Sequence, residues 1–250
     1  MPGYSAHLVE QKLVTILSAY LLGLLIGYVF GAFPTGFFVG KMWNIDVRKH
    51  GSGRTGGTNV LRSAGWGAFA LTVIGDVLKG ILPVLLVRWL FPEYHGAHAL
   101  SVLGVLIGNN WSVWIALLAR SDPHGATTYP PTPLGLLQRI ADKGRGGAGV
   151  STTAGACLAL FPPVPLLIAP VGILVLLIWR YASAASLTAA TLFPIVMLYF
   201  VLIHDVPWSY FALALVVAVF IYIVHIPNIQ RLRAGNERRF GQRLGRERNA

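Results

Sequence analysis

Charge is scarce in this chain. Only 12% of its 250 residues are Asp, Glu, Lys or Arg, about half the roughly 25% of an ordinary soluble domain. Acidic residues are rarer still, 9 against 20 Lys and Arg, for a formal net charge of +11. A surplus of that sign often marks nucleic-acid binding, but such proteins spread their charge over a water-soluble surface. A chain that is 55% apolar, with a mean hydropathy of +0.63, has too few polar residues to build one. Nucleic acid is therefore excluded as a partner, and the chain reads as a membrane protein.

Cysteine is almost absent. The single Cys157 excludes an intramolecular disulfide. With no His or second Cys at ligand spacing, it supports neither a metal site nor a thiol nucleophile. It reads as a small core hydrophobe. A cleavable signal is also missing: Glu10 and Lys12 precede an apolar run that extends to Lys41 without a small-x-small site, so the run reads as a first span.

What the chain has in abundance is long apolar runs. A bilayer needs roughly 20 mostly apolar residues per helix. Seven runs qualify or nearly so: Leu13–Val39, Gly67–Phe91, His98–Ala119, Gly149–Phe161, Val164–Trp179, Ser183–Ile203 and Tyr210–Ile226. The expected fold is an all-α polytopic bundle of about seven transmembrane helices forming a single domain over residues 1–250. Merging the fourth and fifth runs across Pro162-Pro163 gives a six-span alternative. Residues 120–142 read as an inserted cytoplasmic loop, and 227–250 as a basic cytoplasmic tail. With seven spans, 17 of the 20 cations fall on one side, in 41–66, 120–148, 180–182 and the tail. The basic side faces the cytoplasm, so the N-terminus is expected outside and the tail inside.

Basic loops serve orientation and attract anionic headgroups, and for the tail arginines that is explanation enough. The loops carry more. The first reads Gly51-Ser52-Gly53-Arg54-Thr55-Gly56-Gly57-Thr58-Asn59-Val60-Leu61-Arg62. Glycine lets successive backbone N–H groups converge on one anion. Ser52, Thr58 and Asn59 add side-chain donors, and Arg62 can fork onto phosphate oxygens. Two soluble phosphate motifs fail here. Gly51, Gly53 and Gly56 fit a dinucleotide spacing but follow no strand, and Gly57 stands where a Walker lysine must be. A purely structural turn remains the alternative.

The second loop, Lys143-Gly144-Arg145-Gly146-Gly147-Ala148-Gly149-Val150-Ser151-Thr152, again sets cations among glycines just before a span and reads as an anion-binding loop. In the third cluster, His225, Asn228 and Arg231 recur every three residues and would share a helix face. Within the second span, Asp76 and Lys79 stand three apart and can neutralise each other, as buried ionisable groups usually must.

These residues resemble the bacterial membrane glycerol-3-phosphate acyltransferases that use acyl phosphate as donor. The family's first loop matches at Gly51, Ser52, Gly53, Thr58, Asn59 and Arg62, followed by Asp76, Lys79 and Gly80. Its tyrosine-x-serine element looks like Tyr181 and Ser183, with Ser186 beyond. Its C-terminal motif is matched by His225, Asn228, Ile229, Arg231, Leu232, Gly235 and Glu237. The second motif departs. The family has glycine-histidine after the third span, where this chain has Gly108-Asn109. Its second lysine falls on Ala148, with Arg145 at the first. Arg54 replaces a first-loop asparagine and could return a cation from the facing loop.

The resemblance implies transfer of a fatty acyl group from acyl phosphate to the sn-1 hydroxyl of glycerol 3-phosphate, giving lysophosphatidate and phosphate in phospholipid biosynthesis. It implies catalytic roles for Ser183, Ser186, His225 and Asn228. Substrate phosphate would be bound by Ser52, Gly53, Arg54, Thr58, Asn59, Arg62, Lys143, Arg145, Gly146, Gly147 and Arg231, with support from Asp76, Lys79 and Glu237. The partners are glycerol 3-phosphate, acyl phosphate and membrane lipids, with no metal or cofactor and a monomeric chain. The sequence contains neither a Gly-x-Ser-x-Gly elbow nor a His with an Asp five positions later. An acyl phosphate is already activated, so no covalent enzyme intermediate is needed. Two other readings are a catalytically weakened relative, motivated by Asn109 and Ala148, and an anion transporter, for which no inverted repeat is visible.

Overall fold

The computed structural model describes residues 2–118, 129–130 and 132–242. Among these residues the chain is helical, and strand-like pairing is limited to one isolated bridge between Trp111 and Arg145. The helices are, in order, α1 (Pro2–Gly31), α2 (Thr35–Met42), a 3₁₀ turn (Val47–Lys49), α3 (Gly57–Ala64), α4 (Trp66–Leu90), α5 (His95–Asn110), α6 (Val113–Leu118), α7 (Pro133–Lys143), α8 (Val150–Leu160), α9 (Pro163–Trp179), α10 (Ala182–Ile203), α11 (Trp208–Val224) and α12 (Ile226–Arg233).

Three stretches are long and apolar enough to cross a membrane: Val9–Met42, Trp66–Leu90 and Ala182–Ile203. A fourth arises if α11 and α12, bent by 58° at His225, count as one; α8 and α9 are apolar but shorter. The outward side chains are those a water-soluble protein would bury, among them Leu17 and Leu21 of α1, Leu78 and Leu82 of α4, Leu177 of α9 and Leu202 of α10. That exterior is matched to lipid. The chain is an all-helical integral membrane protein.

Two of the apolar runs are not the single helices their composition suggests. The first breaks at Pro34, which has no N–H and disfavours helix in the residue before it. The carbonyls around the break are taken up by distant donors: Ser112 Oγ bonds Ala32 O at 2.5 Å and Lys79 Nζ bonds Phe33 O at 2.9 Å. The third run stops at Asn110, and Ser112 N donates to Gly144 O at 2.8 Å. This ties the end of α5 to the loop before α8. Of the segment read as an inserted loop, residues 133–143 form the helix α7, while 119–128, Arg120 included, and 131 lie outside the described residues. The tail begins as α12 and continues to residue 242; Arg243, Arg246 and Arg248 lie outside the described residues.

The helices that carry the site meet backbone to backbone. A side chain at Gly27 or Gly31 of α1 would collide with Ser101 or Val105 of α5, and one at Gly80 of α4 or Gly155 of α8 would collide with Thr152 or Val77 across that pair. Small residues at such crossings replace the hydrophobic drive that is absent between helices in lipid. They fix how deep the N-terminus of α8 sits. Beside this seam, Val84, Leu106, Ala156, Val164, Phe193, Met197, Leu213 and Val217 form the main buried core.

Candidate functional site

The glycine-rich loop is built by Asn59. Its side chain is buried, and Nδ2 lies within hydrogen-bond distance of Val47 O (2.9 Å), His50 O (3.1 Å) and Arg54 O (2.8 Å). Its Oδ1 accepts from Ser52 N at 3.1 Å. Loop backbone thus engages both ends of the amide, and Asn59 shapes the loop rather than offering a free donor. The turn before it is capped by Asp46, which accepts from Arg48 N at 3.1 Å and pairs with the Arg48 guanidinium at 2.7 Å. That pairing holds the Asp46 carboxyl below the usual range.

So shaped, the loop delivers the N-terminus of α3, capped by Gly56, against the second glycine loop, where Gly56 and Gly147 approach each other closely. The second loop ends in Gly149, at φ 87°, which caps α8. A helix N-terminus leaves backbone N–H groups unsatisfied and carries a partial positive charge. Two such ends, α3 and α8, contribute to one cavity of about 380 Å³, within the roughly 300–1,000 Å³ of small-molecule sites.

Three separated segments bring cations to that cavity: Arg54 and Arg62, then Arg145, then Arg231 and Arg238. Arg54 Nη1 lies 3.2 Å from Gly147 O and 3.3 Å from Asn110 Oδ1, so it bridges the two loops. Burial, reinforced by the neighbouring Arg145 charge, pushes the Arg54 guanidinium down to about 10. Arg62 is also lowered, by burial first and then by Arg238, partly offset by Glu237. Arg62 Nη2 donates to Arg238 O at 3.3 Å, while its buried Nε has no protein acceptor among the described residues. Cations held together out of water at this cost favour an anion between them.

The opposite wall comes from α10 and α12. Glu237 is the hub: Oε1 accepts from Ser183 Oγ at 3.2 Å and Asn228 Nδ2 at 2.9 Å, and Oε2 pairs with Arg231 Nε at 2.7 Å. His225 sits at the bend between α11 and α12, buried, with Nδ1 at 2.8 Å from Ile221 O. A carbonyl can only accept, so Nδ1 carries a proton, which in the neutral ring leaves the lone pair on Nε2. Ser186 lines the same wall, its hydroxyl donating to Ala182 O at 2.9 Å.

Among the residues expected from sequence, Ser52, Arg54, Thr58, Asn59, Arg62, Asp76, Arg145, Gly147, Ser183, Ser186, His225, Asn228, Arg231 and Glu237 line one cavity. Gly53, Lys143 and Gly146 do not line it, nor does Lys79. Gly53 and Gly146 serve backbone shape: Gly53 has φ 69°, and a side chain at Gly146 would strike Asn109 O. Lys143, the last residue of α7, is exposed at the surface. Lys79 lies behind the cavity, 2.7 Å from Asp76, both nearly buried. Asn109 accepts from Thr152 Oγ1 at 3.3 Å and so ties α5 to the first turn of α8. Ser151 and Thr152 in that turn, the end of the second loop as read from sequence, line the cavity too. Sequence reasoning missed Arg238, grouped by composition with the tail arginines.

Comparison with known proteins gives one answer. The family model described as glycerol-3-phosphate acyltransferase matches residues 21–119 and 133–235. Relatives include the glycerol-3-phosphate acyltransferase of Alkaliphilus metalliredigens, 35% identical over 89% of this chain and 97% of its own. That of Rubrobacter xylanophilus is 36% identical over 90% and 97%. Among solved structures, PlsY (YgiH), an integral membrane glycerol 3-phosphate acyltransferase, aligns in its glycerol 3-phosphate form with a TM-score of 0.69 at 29% identity, covering 89% of this chain and 96% of that one. Its lysophosphatidic acid form aligns with a TM-score of 0.67 at 28% identity, over 89% and 95%.

Proposed function

Given that the chain belongs to the glycerol-3-phosphate acyltransferase family, we propose that its cavity moves a fatty acyl group from acyl phosphate to the sn-1 hydroxyl of glycerol 3-phosphate. The products are lysophosphatidate and inorganic phosphate. The observation that carries this reading is the convergence of two helix N-termini and arginines from three segments on one cavity walled by His225, Asn228 and Ser183. That arrangement suits two phosphate-bearing molecules held side by side.

The chemistry then asks little of the protein. The sn-1 oxygen attacks the acyl carbonyl carbon, the bond from that carbon to the phosphate oxygen breaks, and phosphate leaves with the electron pair. The hydroxyl proton passes to His225 Nε2 or to the departing phosphate. Ser52, Thr58, Arg54, Arg62 and the N-terminus of α8 hold one phosphate, while Ser183, Ser186, Asn228 and Arg231 orient the other partner. Holding both in attack geometry supplies the entropic part of the acceleration, and fixed donors stabilise the charge developing on the carbonyl oxygen. The donor's acyl chain leaves the cavity past its apolar lining at Val150, Ala182 and Val224.

The same reading places seven helices in the plasma membrane with the N-terminus outside, so that the cavity opens to the cytoplasm, where both phosphorylated substrates reside. The protein works as a monomer without a cofactor. The test is to supply purified protein with labelled glycerol 3-phosphate and either acyl phosphate or an acyl thioester. Lysophosphatidate from acyl phosphate alone supports the reading. Product from the thioester but not acyl phosphate would overturn the donor, and no product from either would overturn the reaction.

A further inference from the structure

Helix α7 leaves most of its apolar face uncovered. Over Pro133–Lys143, Leu134, Leu136, Leu137, Ile140 and Ala141 fall on one side at 100° per residue, while Arg139, Asp142 and Lys143 fall on the other. A surface helix of a globular protein buries the first side. Here Leu134 and Leu137 are 64% and 63% exposed, and Leu136 is 40% exposed. On the polar side Gln138, Asp142 and Lys143 are exposed; Asp142 accepts from Tyr129 OH at 3.0 Å, and the half-buried Arg139 lies over the Tyr129 ring at 5.9 Å. The helix is well started, with Thr132 accepting from Gly135 N at 3.1 Å and Pro133 in its first turn. It packs on α6, whose own outward side chains include Trp114 and Leu117.

We propose that α7 lies flat in the bilayer interface on the side that holds the cavity. Leu134, Leu136 and Leu137 enter the acyl boundary, and the exposed Lys143 sits among anionic headgroups. Three observations select lipid over a protein partner. The apolar patch continues through α6 into the lipid-matched exterior of the spans. Trp111 and Trp114 beside it are the residue type that settles at membrane interfaces. A cation on the polar side of an apolar helix face is the pattern of interfacial binding. Because α7 runs through Gly144 directly into the loop that caps α8, this seat also fixes that loop at membrane level. The inference does not depend on which reaction the cavity catalyses.

The test uses the full chain with Cys157→Ala and a single cysteine at Leu134→Cys, Leu137→Cys or Asp142→Cys. Each is labelled with an environment-sensitive fluorophore and reconstituted in phosphatidylcholine–phosphatidylglycerol vesicles. Labels at 134 and 137 should be quenched by shallow spin-labelled lipid and protected several-fold from aqueous iodide, with the reverse at 142. Equal iodide quenching at all three positions would overturn the proposal. Protection at 134 and 137 that disappears when the protein is diluted to one copy per vesicle would also overturn it, because a second copy would then be the cover. On unlabelled protein, trypsin cleavage after Arg139 and Lys143 should be several-fold faster in Leu134→Glu/Leu137→Glu than in wild type; equal rates would contradict the seat.

Discussion

The carboxylate of Glu237 and the guanidinium of Arg231 form an ion pair at 2.7 Å, and the same carboxylate accepts from Ser183 and Asn228. One buried acid therefore fixes three side chains from α10 and α12 against the cavity. Misplacement of such groups by about 1 Å can cost roughly 100-fold in rate. Glu237→Ala should lower kcat/KM by about that factor. Glu237→Gln should recover part of it, since an amide oxygen still accepts from Ser183 and Asn228. Steady-state kinetics on the two variants check this, and equal losses would contradict a positioning role.

Arg54 is disfavoured as a cation by burial and by Arg145. Its folded value of about 10 lies below the ordinary arginine range, so the cost is present at neutral pH and is relieved only as pH rises through about 10. Replacing it with an uncharged residue removes that cost and the anion contact together. Because Arg54→Met also gives up the bonds to Asn110 and Gly147, it should melt close to wild type without ligand, yet show a smaller thermal shift with glycerol 3-phosphate and about 100-fold less activity. Thermal unfolding with and without ligand decides it.

The chain has Ala148 where its family resemblance suggests a lysine, but Arg54 reaches the same loop from the other side, 3.2 Å from Gly147 O. Ala148→Lys alone should therefore give little gain, because it adds another cation beside Arg54 and Arg145. In the Arg54→Met background the same lysine should restore activity at least about tenfold, since its charge then replaces the one removed. The double-mutant cycle in kcat/KM measures that coupling.

Asp76 and Lys79 are paired at 2.7 Å with both side chains nearly buried, and Lys79 also holds Phe33 O beside the break at Pro34. Removing one partner leaves an uncompensated buried charge, at a cost of about 3–5 kcal/mol. Asp76→Asn or Lys79→Met should each destabilise by roughly that amount, and the double variant by clearly less than the sum. Unfolding in detergent reads both.

Much of this was legible in the chain because it rests on composition and local spacing. Apolar runs marked the membrane helices, and glycines interleaved with cations marked the anion loops. The pairing of Asp76 with Lys79 follows from helical spacing alone. Other features needed three dimensions. Asn59 looked like a ligand donor because its type and neighbours suit phosphate; only the fold shows its amide spent on Val47, His50 and Arg54. Lys143 looked like a site cation by proximity to Arg145, but it ends α7 outside the cavity. Arg238 was indistinguishable from other tail arginines until the chain after Gly235 folded back and put it beside Arg62. Sequence distance hides such long-range placements, whereas burial and partner geometry expose them.

The most direct test of the central claim compares wild type with Arg62→Ala and His225→Ala, measuring lysophosphatidate formed from acyl phosphate and labelled glycerol 3-phosphate. The account predicts product with an equal amount of phosphate from wild type, and losses of about 100- to 1,000-fold in both variants while their helical content and melting remain unchanged. Wild-type rates in both variants would contradict the assignment of this cavity as the site of transfer.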